Sequence, residues 1–434
     1  MTTSNDRSIR VQLQKQLVCP HCWHSFTPDA ALWISQHSEL MGDPRIGDDQ
    51  PRRFLPTRFN SAGQAIDPRG LPCSELACPS CHLNVPRAMF ELPTSFWSIL
   101  GSPASGKSYL LAAMSWTLRK VLPQYFSTSF SDVDPLTNRI LNEYEELLFL
   151  NSDPDEIVAI RKTETHGDLY STVRYGDRIV NYPQPFIFST RALPGHPNEQ
   201  AAGKRGRVLC LYDNAGEHFL PGQDSAASPA TRHLAHSRGM FFLFDPMQDP
   251  RFRDICKGYS DDPQLVRHSR TMRQEAVLQE AANRVRRFTG LPEHERHNRP
   301  LIVIVTKYDV WHELLGNEPL AAPWVRSKSG RYALNLDYIL RVSKALRKIL
   351  WKHTPELVSV AEAFAERVYF LPCSATGVSP EVMPDSGLLG IRSNHIKPIW
   401  AEVPMIFALS QFTRDGLVSG WQSSKTEPND KETP

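Results

Sequence analysis

The sequence predicts an α/β protein whose mostly parallel sheet is covered by helices on both faces, with a small cysteine-paired module ahead of it. Three observations carry this reading. From Pro93 onward, short apolar runs of strand length alternate with longer amphipathic stretches, the pattern of a sheet buried on both sides. A Gly- and Ser-rich turn, GSPASGKS, separates the first apolar run from the first helical one. Two C-x-x-C pairs precede all of this and flank a stretch with neither helical nor strand periodicity.

Residues 1–92 hold the cysteine pairs and, between them, MGDPRIGDDQPRRFLPTRFNSAGQAIDPRG, which reads as a long loop excursion. Residues 93–412 form the α/β unit. FWSIL (96–100) predicts a buried strand, GSPASGKS a turn, and YLLAAMSWTLRKVL (109–122) a helix. Further strands are expected at PFIFST (185–190), RVLCLYD (207–213), GMFFLFDP (239–246), PLIVIVTKYD (300–309) and RVYFLPCSATG (367–377). Helices are expected at 264–288, 336–351 and 396–412, and residues 413–434 read as a polar tail. No internal repeat is present.

Composition narrows the function classes. The chain has 434 residues, 41% of them apolar, and 49 basic against 47 acidic groups for a net charge of +2. That balance argues against a general nucleic-acid-coating role and against disorder. The N-terminus lacks a signal-like apolar stretch and the longest apolar runs are far too short to span a bilayer, so a cytoplasmic location with no transmembrane segment is expected.

GSPASGKS, residues 101–108, fits G-x-x-x-x-G-K-S/T in the required strand-to-helix context. Gly101 and Gly106 allow the backbone to aim amides at phosphate oxygens, with Ser105 and Tyr109 flanking the turn. The helix start adds its positive end, Lys107 reaches the terminal phosphates, and Ser108 offers an oxygen to Mg2+. Three later segments follow at strand ends: Asp213-Asn214-Ala215-Gly216, Thr306-Lys307-Tyr308-Asp309, and Ser374-Ala375-Thr376. Asp309 could accept from both the ring N–H and the exocyclic amine of guanine, whereas adenine would leave it poorly satisfied.

In order and context these four segments resemble the P-loop GTPases of the TRAFAC class, the translation-factor-like and Ras-like groups, over residues 94–412. The resemblance implies a Ras-like sheet, binding of GTP and GDP with Mg2+, and hydrolysis coupled to switching. It implies that Asp213 reaches Mg2+, that the Gly216 amide faces the terminal phosphate, and that Thr306, Lys307, Asp309, Ser374, Ala375 and Thr376 enclose the base. A threonine capping Mg2+ is also implied; Thr163, Thr165 and Thr172 compete, with Thr163 or Thr165 favoured beside Arg161 and Lys162. Lys107 and Asp213 stand 106 positions apart, so this region carries an insertion.

Glu217 occupies the position after Gly216 where a neutral water-positioning residue is expected, and His218 follows. A carboxylate there is repelled by a terminal phosphate. Either Glu217 works with a partner's cation, or His218 positions water, or intrinsic hydrolysis is very slow and the chain is chiefly a switch. Arg161, Arg174 and Arg178 are candidate cis-acting cations.

Cys19-Pro-His-Cys22 and Cys78-Pro-Ser-Cys81 are two matching knuckles, and four thiolates in this arrangement suit a closed, structural Zn2+ site. His21, His24, His82 and Cys73 are neighbouring alternatives, and a redox pair is the competing reading. Cys210 and Cys373 fall in apolar strands and read as core thiols. The knuckles resemble zinc-ribbon or treble-clef modules, and the pairing of such a head with a GTPase-like unit resembles the bacterial double-GTPase group, which implies a defence or signalling setting and a partner that is a second GTPase or another effector. A nucleic acid bound through the head, a pseudo-GTPase adaptor and a P-loop ATPase remain the other readings.

Overall fold

The computed structural model describes residues 13–160, 167, 169–198, 206–213, 216–219, 229, 231–266, 272–316, 318–327, 330–384, 386–413 and 416–422. Its centre is a seven-stranded sheet built from β1 (Thr94–Gly101), β2 (Thr128–Asp132), β3 (Phe186–Ala192), β4 (Gly206–Asp213), β5 (Gly239–Phe244), β6 (Leu301–Val305) and β7 (Val368–Pro372). The spatial order is β2-β3-β4-β1-β5-β6-β7. β1 runs parallel to β4 and β5, and the parallel run continues through β6 to β7. β3 is antiparallel to both its neighbours. The sheet is therefore mostly parallel, and the chain reverses sides at β1, where the C-terminal ends of β4, β1 and β5 open a crevice.

Among the described residues the longer helices are α1 (Lys107–Phe126), α2 (Arg139–Phe149), α3 (Gln274–Thr289), α4 (Leu336–His353), α5 (Pro355–Phe364) and α6 (Val403–Phe412). Every residue of β4 and of β6 is buried, as a doubly covered sheet requires. Side chains alternate along β4 with the strand period of two. Leu209 and Leu211 pack toward α1, α2 and α6. Val208, Cys210 and Tyr212 point the other way, against Leu17, Cys19, Trp23 and Phe26 of the N-terminal module. On the β5–β6 half of that same face the cover is helical, with α3 and α5 packed on Phe242, Phe244 and Val303. The cysteine module thus takes the place of a covering helix over β3, β4 and β1.

The stretch between the knuckles is not a featureless excursion. It folds into short strands, among them Met41–Asp43 paired with Gly47–Pro51 and Ala65–Ile66 paired with Pro72–Cys73. Strands of two to five residues are too short to display periodicity, and polar anchors hold their turns instead. The Asp67 carboxylate accepts from the backbone amides of Gln36, His37, Arg69 and Leu71, which is an Asx-type organisation.

Helix boundaries also differ from expectation. The segment expected as one helix over 264–288 contains a short turn, Pro263–Val266, and then α3 from Gln274, while 267–271 lie outside the described residues. α6 begins at Val403, with Pro404 in its first turn, because Ile399 is held in a bridge to Ser374 and Trp400 takes a left-handed φ of 54°. Packing continues past the expected start of the tail at 413: Leu417 and Val418 are buried, and Gly420–Trp421 pairs with Tyr332–Asn335.

Candidate functional site

The C-terminal edge of the parallel strands gathers most of the residues singled out by motif. β1 ends in Gly101, whose φ is 155°, and the chain then turns through left-handed Ala104 (60°) and Gly106 (88°) into α1. A Cβ on Gly101 would stand 2.8 Å from Ser105 Oγ and 3.0 Å from the Leu243 carbonyl, so that position has no room for a side chain. These backbone conformations turn the loop back on itself, and the Ser105 amide closes it on the Ser102 carbonyl at 3.3 Å. Lys107 is buried and donates to the carbonyls of Gly101 (3.2 Å) and Ser102 (2.9 Å), which folds its ammonium back over the loop.

Ser108 Oγ donates to Asp213 Oδ2 at 2.9 Å, joining the start of α1 to the end of β4. The other carboxylate oxygen, Asp213 Oδ1, is buried without a hydrogen-bond partner. Burial pushes the Asp213 carboxyl upward, against the opposing pull of Lys107 and the Ser108 hydroxyl. The Ser108 hydroxyl and the Asp213 carboxylate, one of whose oxygens has no partner, are two hard oxygen donors of the kind Mg2+ takes. Gly216 lies directly over the loop: a Cβ there would come within 2.4 Å of Pro103 N and 2.7 Å of the Gly101 carbonyl. Asn214 and Ala215, between Asp213 and Gly216, lie outside the described residues.

Further along the edge is a cavity of about 190 Å3, lined from one side by Ser105, Gly106 and Tyr109 and from the other by Thr306, Lys307, Asp309, Ser374, Ala375 and Thr376. This volume is on the scale of one aromatic ring system. Asp309 Oδ1 is buried with no partner, and burial raises its carboxyl against hydrogen bonding from Ser374. Ser374 Oγ also accepts from the Gly377 amide at 2.7 Å, which fixes the turn after β7. Thr306 is oriented by its bond to the Phe244 carbonyl (3.2 Å), and Thr376 by its bond to the Val378 carbonyl (3.0 Å).

Lys307 takes a left-handed φ of 56°. Its ammonium lies 2.7 Å from Asp245 Oδ2 and 2.7 Å from Gln264 Oε1. Asp245 is almost fully buried, so the ion pair is desolvated and needs its second contacts; Met247 N supplies one to Oδ1 at 3.0 Å. Around it runs a polar network that motif reading missed. Gln274 Nε2 donates to the Asp245 carbonyl and Gln274 Oε1 accepts from its amide, both at 2.8 Å. Gln248 accepts from Ser102 Oγ (2.8 Å) and donates to the Pro103 carbonyl (3.0 Å). The loop is thereby tied to β5 and α3. A signal was present: Leu-Phe-Asp at the end of β5 repeats the Leu-Tyr-Asp that ends β4.

The residues following Gly216 are held differently from one another. His218 is buried, its Nε2 lies 2.8 Å from Tyr170 Oη, and its carbonyl accepts from Arg284. Tyr170 begins a hairpin, Tyr170–Tyr175 with Arg178–Pro183, and Glu217 is half-buried. Thr172 is an exposed hairpin residue bonded to Asn181 (2.9 Å), away from the loop's contacts. Thr163, Thr165, Arg161 and Lys162 lie outside the described residues. Arg174 lies on the hairpin against the N-terminal module, its amide bonded to the Arg45 carbonyl, and Arg178 lies near the hairpin turn. Tyr109 Oη accepts from the Ile160 amide at 2.9 Å, so it anchors the chain entering the 161–166 segment.

In the N-terminal module, Cys19, Cys22, Cys78 and Cys81 bring all four sulfurs within 4.8 Å of one another. Cys19 to Cys81 and Cys22 to Cys78 are each 3.7 Å, close to the edge of a tetrahedron with metal–sulfur bonds of about 2.3 Å. The two knuckles repeat one another in detail. The His21 and Ser80 amides each point at the first sulfur of their pair (3.4 Å), and Trp23 and His82 take left-handed φ values of 58° and 63°. Burial raises the Cys19 and Cys81 thiols, whereas hydrogen bonding from the three neighbouring cysteines lowers Cys78. The neighbouring alternatives are engaged elsewhere: His21 Nε2 lies 3.0 Å from the Asn84 carbonyl, His82 pairs with Asp43 (2.8 Å), His24 stacks on Phe26, and Cys73 Sγ faces the Leu71 carbonyl. Cys210 and Cys373 are core thiols, both pushed up by burial.

The first knuckle, packed on β4, is also hydrogen-bonded to it through the Tyr212 hydroxyl. Tyr212, fully buried and next to Asp213, accepts from Trp23 Nε1 (3.1 Å) and donates to the Pro20 carbonyl (2.6 Å). His233 stacks on its other side, with ring centres 4.5 Å apart.

Among the described residues no helix is long and apolar enough to cross a membrane. No protein-family model matches the chain. It is similar to the "Putative ESX-1 scaffolding and assembly protein SaeC" of Mycolicibacterium smegmatis, with 26% identity over 255 residues. The match covers 54% of this chain and 59% of that protein, so the chain spans about three fifths of the relative's length.

Proposed function

We propose that this chain binds guanine nucleotide with Mg2+, hydrolyses GTP to GDP slowly or on contact with a protein partner, and uses the cycle as a conformational switch. The observation that carries the reading is the pair of orphaned carboxylate oxygens at one sheet edge, Asp213 Oδ1 and Asp309 Oδ1, set on either flank of the Gly101–Ser108 turn. Buried polar atoms without partners are rare in folded proteins and mark places where a ligand supplies the missing bond. Asp309 would receive the two donors of guanine, and adenine has no matching pair. Ser108 and Asp213 would hold Mg2+, which would neutralise charge on the terminal phosphates. The turn's amides and Lys107, released from the Gly101 and Ser102 carbonyls, would cradle the phosphates.

Catalysis is the weaker half of this site. His218 is engaged by Tyr170, and Glu217, the residue next to Gly216, puts a carboxylate where an incoming terminal phosphate would be repelled by it. A cation from a partner would relieve that repulsion, which accords with a switch read by another protein. The relative's name, a scaffolding and assembly protein, supports a protein partner, whether a second GTPase or an effector. The resemblance to double GTPases supports a bacterial defence or signalling role. The four-cysteine cluster is read as a structural Zn2+ site that shapes the head. The second reading is an adaptor whose nucleotide unit binds without turnover.

The test is equilibrium binding of fluorescent GTP and ATP, followed by single-turnover hydrolysis, for the wild type and Lys107→Ala. Preference for GTP that is lost in the variant is the expected result. Equal affinity for both nucleotides overturns the guanine assignment, and failure to bind either overturns the class. Binding without turnover, even with the physiological partner present, favours the adaptor.

A further inference from the structure

The opposite edge of the sheet carries a second polar hollow that the nucleotide reading does not use. Four of its five adjacent parallel strands are led in by an arginine: Arg207 is the second residue of β4, Arg238 immediately precedes β5, Arg299 comes two residues before β6, and Arg367 immediately precedes β7. Neighbouring strands lie about 4.8 Å apart, and the register sets Arg238 beside Arg299 with Arg367 one position further along, while Arg207 lies lower on β4. Arg238, Arg299 and Arg367, with His236, line a cavity of about 490 Å3 to which Phe96, Pro300 and Phe412 add apolar wall. None of the described residues lining it is acidic.

The Arg299 and Arg367 guanidinium groups donate to neutral acceptors. Arg299 Nη1 donates to the Leu234 (3.2 Å) and Ser237 (2.6 Å) carbonyls, Arg367 Nη2 to the Asn298 carbonyl (2.7 Å), and Arg238 Nε to the Phe412 carbonyl. Carbonyls fix direction without cancelling charge. The field is felt locally: burial, then Arg299 and Arg232, hold the His236 imidazole below its ordinary value, and Arg299 itself is lowered by burial alone.

We infer that this basic hollow is a docking site for a carboxylate-rich peptide segment of a protein partner, at the edge of the sheet remote from the candidate nucleotide site. Planar, pre-oriented arginine forks match carboxylates, and the aromatic wall accommodates the methylene stems of glutamate. A confined hollow in a chain of net charge +2 suits a few acidic side chains better than the long phosphate track of a nucleic acid. The inference stands apart from the GTPase reading.

Fluorescence anisotropy on the full chain tests it, using a labelled short Glu-rich peptide, its Gln-for-Glu counterpart and an oligothymidylate of equal charge. The Glu peptide is expected to bind with an affinity that falls with salt, and Arg299→Gln combined with Arg367→Gln is expected to weaken it by about tenfold. Because Arg299 also braces carbonyls, the surface variant Gln411→Glu, which places a carboxylate in the lining, is a second arm and is expected to weaken binding without changing the melting temperature. Absence of Glu-peptide binding, equal binding of the Gln peptide, a stronger preference for the oligothymidylate, or unchanged affinity in Gln411→Glu each overturns the proposal.

Discussion

Replacing Tyr212 by Phe removes a single oxygen and is expected to destabilise the protein by about 2–4 kcal/mol. The figure follows from what the hydroxyl holds. Trp23 Nε1 donates to it and the Pro20 carbonyl accepts from it. Tyr212 is 0% exposed and Trp23 only 5%, so water cannot replace the lost partner. One donor and one acceptor are left buried and unpaired, at about 1–3 kcal/mol each, less some relief by local adjustment. A hydroxyl with solvent access would account for only about 0.5–1.5 kcal/mol. The assay is urea unfolding followed by tryptophan fluorescence, where a lowered midpoint with an unchanged slope isolates stability from compactness. A double-mutant cycle with Trp23→Phe should give a coupling of about 1 kcal/mol or more, since both changes act on one bond. A loss below about 0.5 kcal/mol, or additive effects, would refute the claim that this hydroxyl joins the knuckle to the sheet.

Four further outcomes are expected. Metal analysis should find one Zn2+ per chain, and a strong chelator or Cys22→Ser should lower the melting temperature and expose apolar surface, measured by calorimetry and dye binding. Asp309→Asn should reduce the preference for GTP over ATP by about tenfold or more in competition binding, with phosphate contacts intact. Its pH dependence has a defined sign: burial raises the folded-state value, so this group's contribution to ligand-free stability is lost as pH rises through that value, while the proposed guanine binding, which would need the charged form, should strengthen with pH up to that value. Gly216→Ala places a methyl within 2.4 Å of Pro103 N and should displace the segment from the loop, lowering single-turnover hydrolysis more than nucleotide affinity.

What could be read from the sequence was local. The apolar runs that became β4 to β7 are continuous because both faces of those strands are covered, and the Gly101–Ser108 turn and the twin knuckles are contiguous patterns whose chemistry is set by spacing. What escaped was long-range or short-range in the wrong way. β2, at the sheet edge, has the pattern Thr-Ser-Phe-Ser-Asp with little apolar content, and the 170–183 hairpin is too polar to register as buried structure. Asp245 ends β5 in a Leu-Phe-Asp that echoes β4, but its partner Lys307 lies 62 positions later and no local pattern joins the two. No local pattern could show that a cysteine module, not a helix, covers Val208, Cys210 and Tyr212.

That last arrangement bears on how the chain can be divided and inherited. By motif it has two parts, but a version starting at residue 93 would present Phe96, Val208, Cys210 and Tyr212 to water, a contiguous apolar face of the kind that drives aggregation. Such a truncation is expected to be insoluble even with every residue of the candidate site intact. The head is a wall of the sheet, and a mutation that loosens either one is felt as misfolding of both.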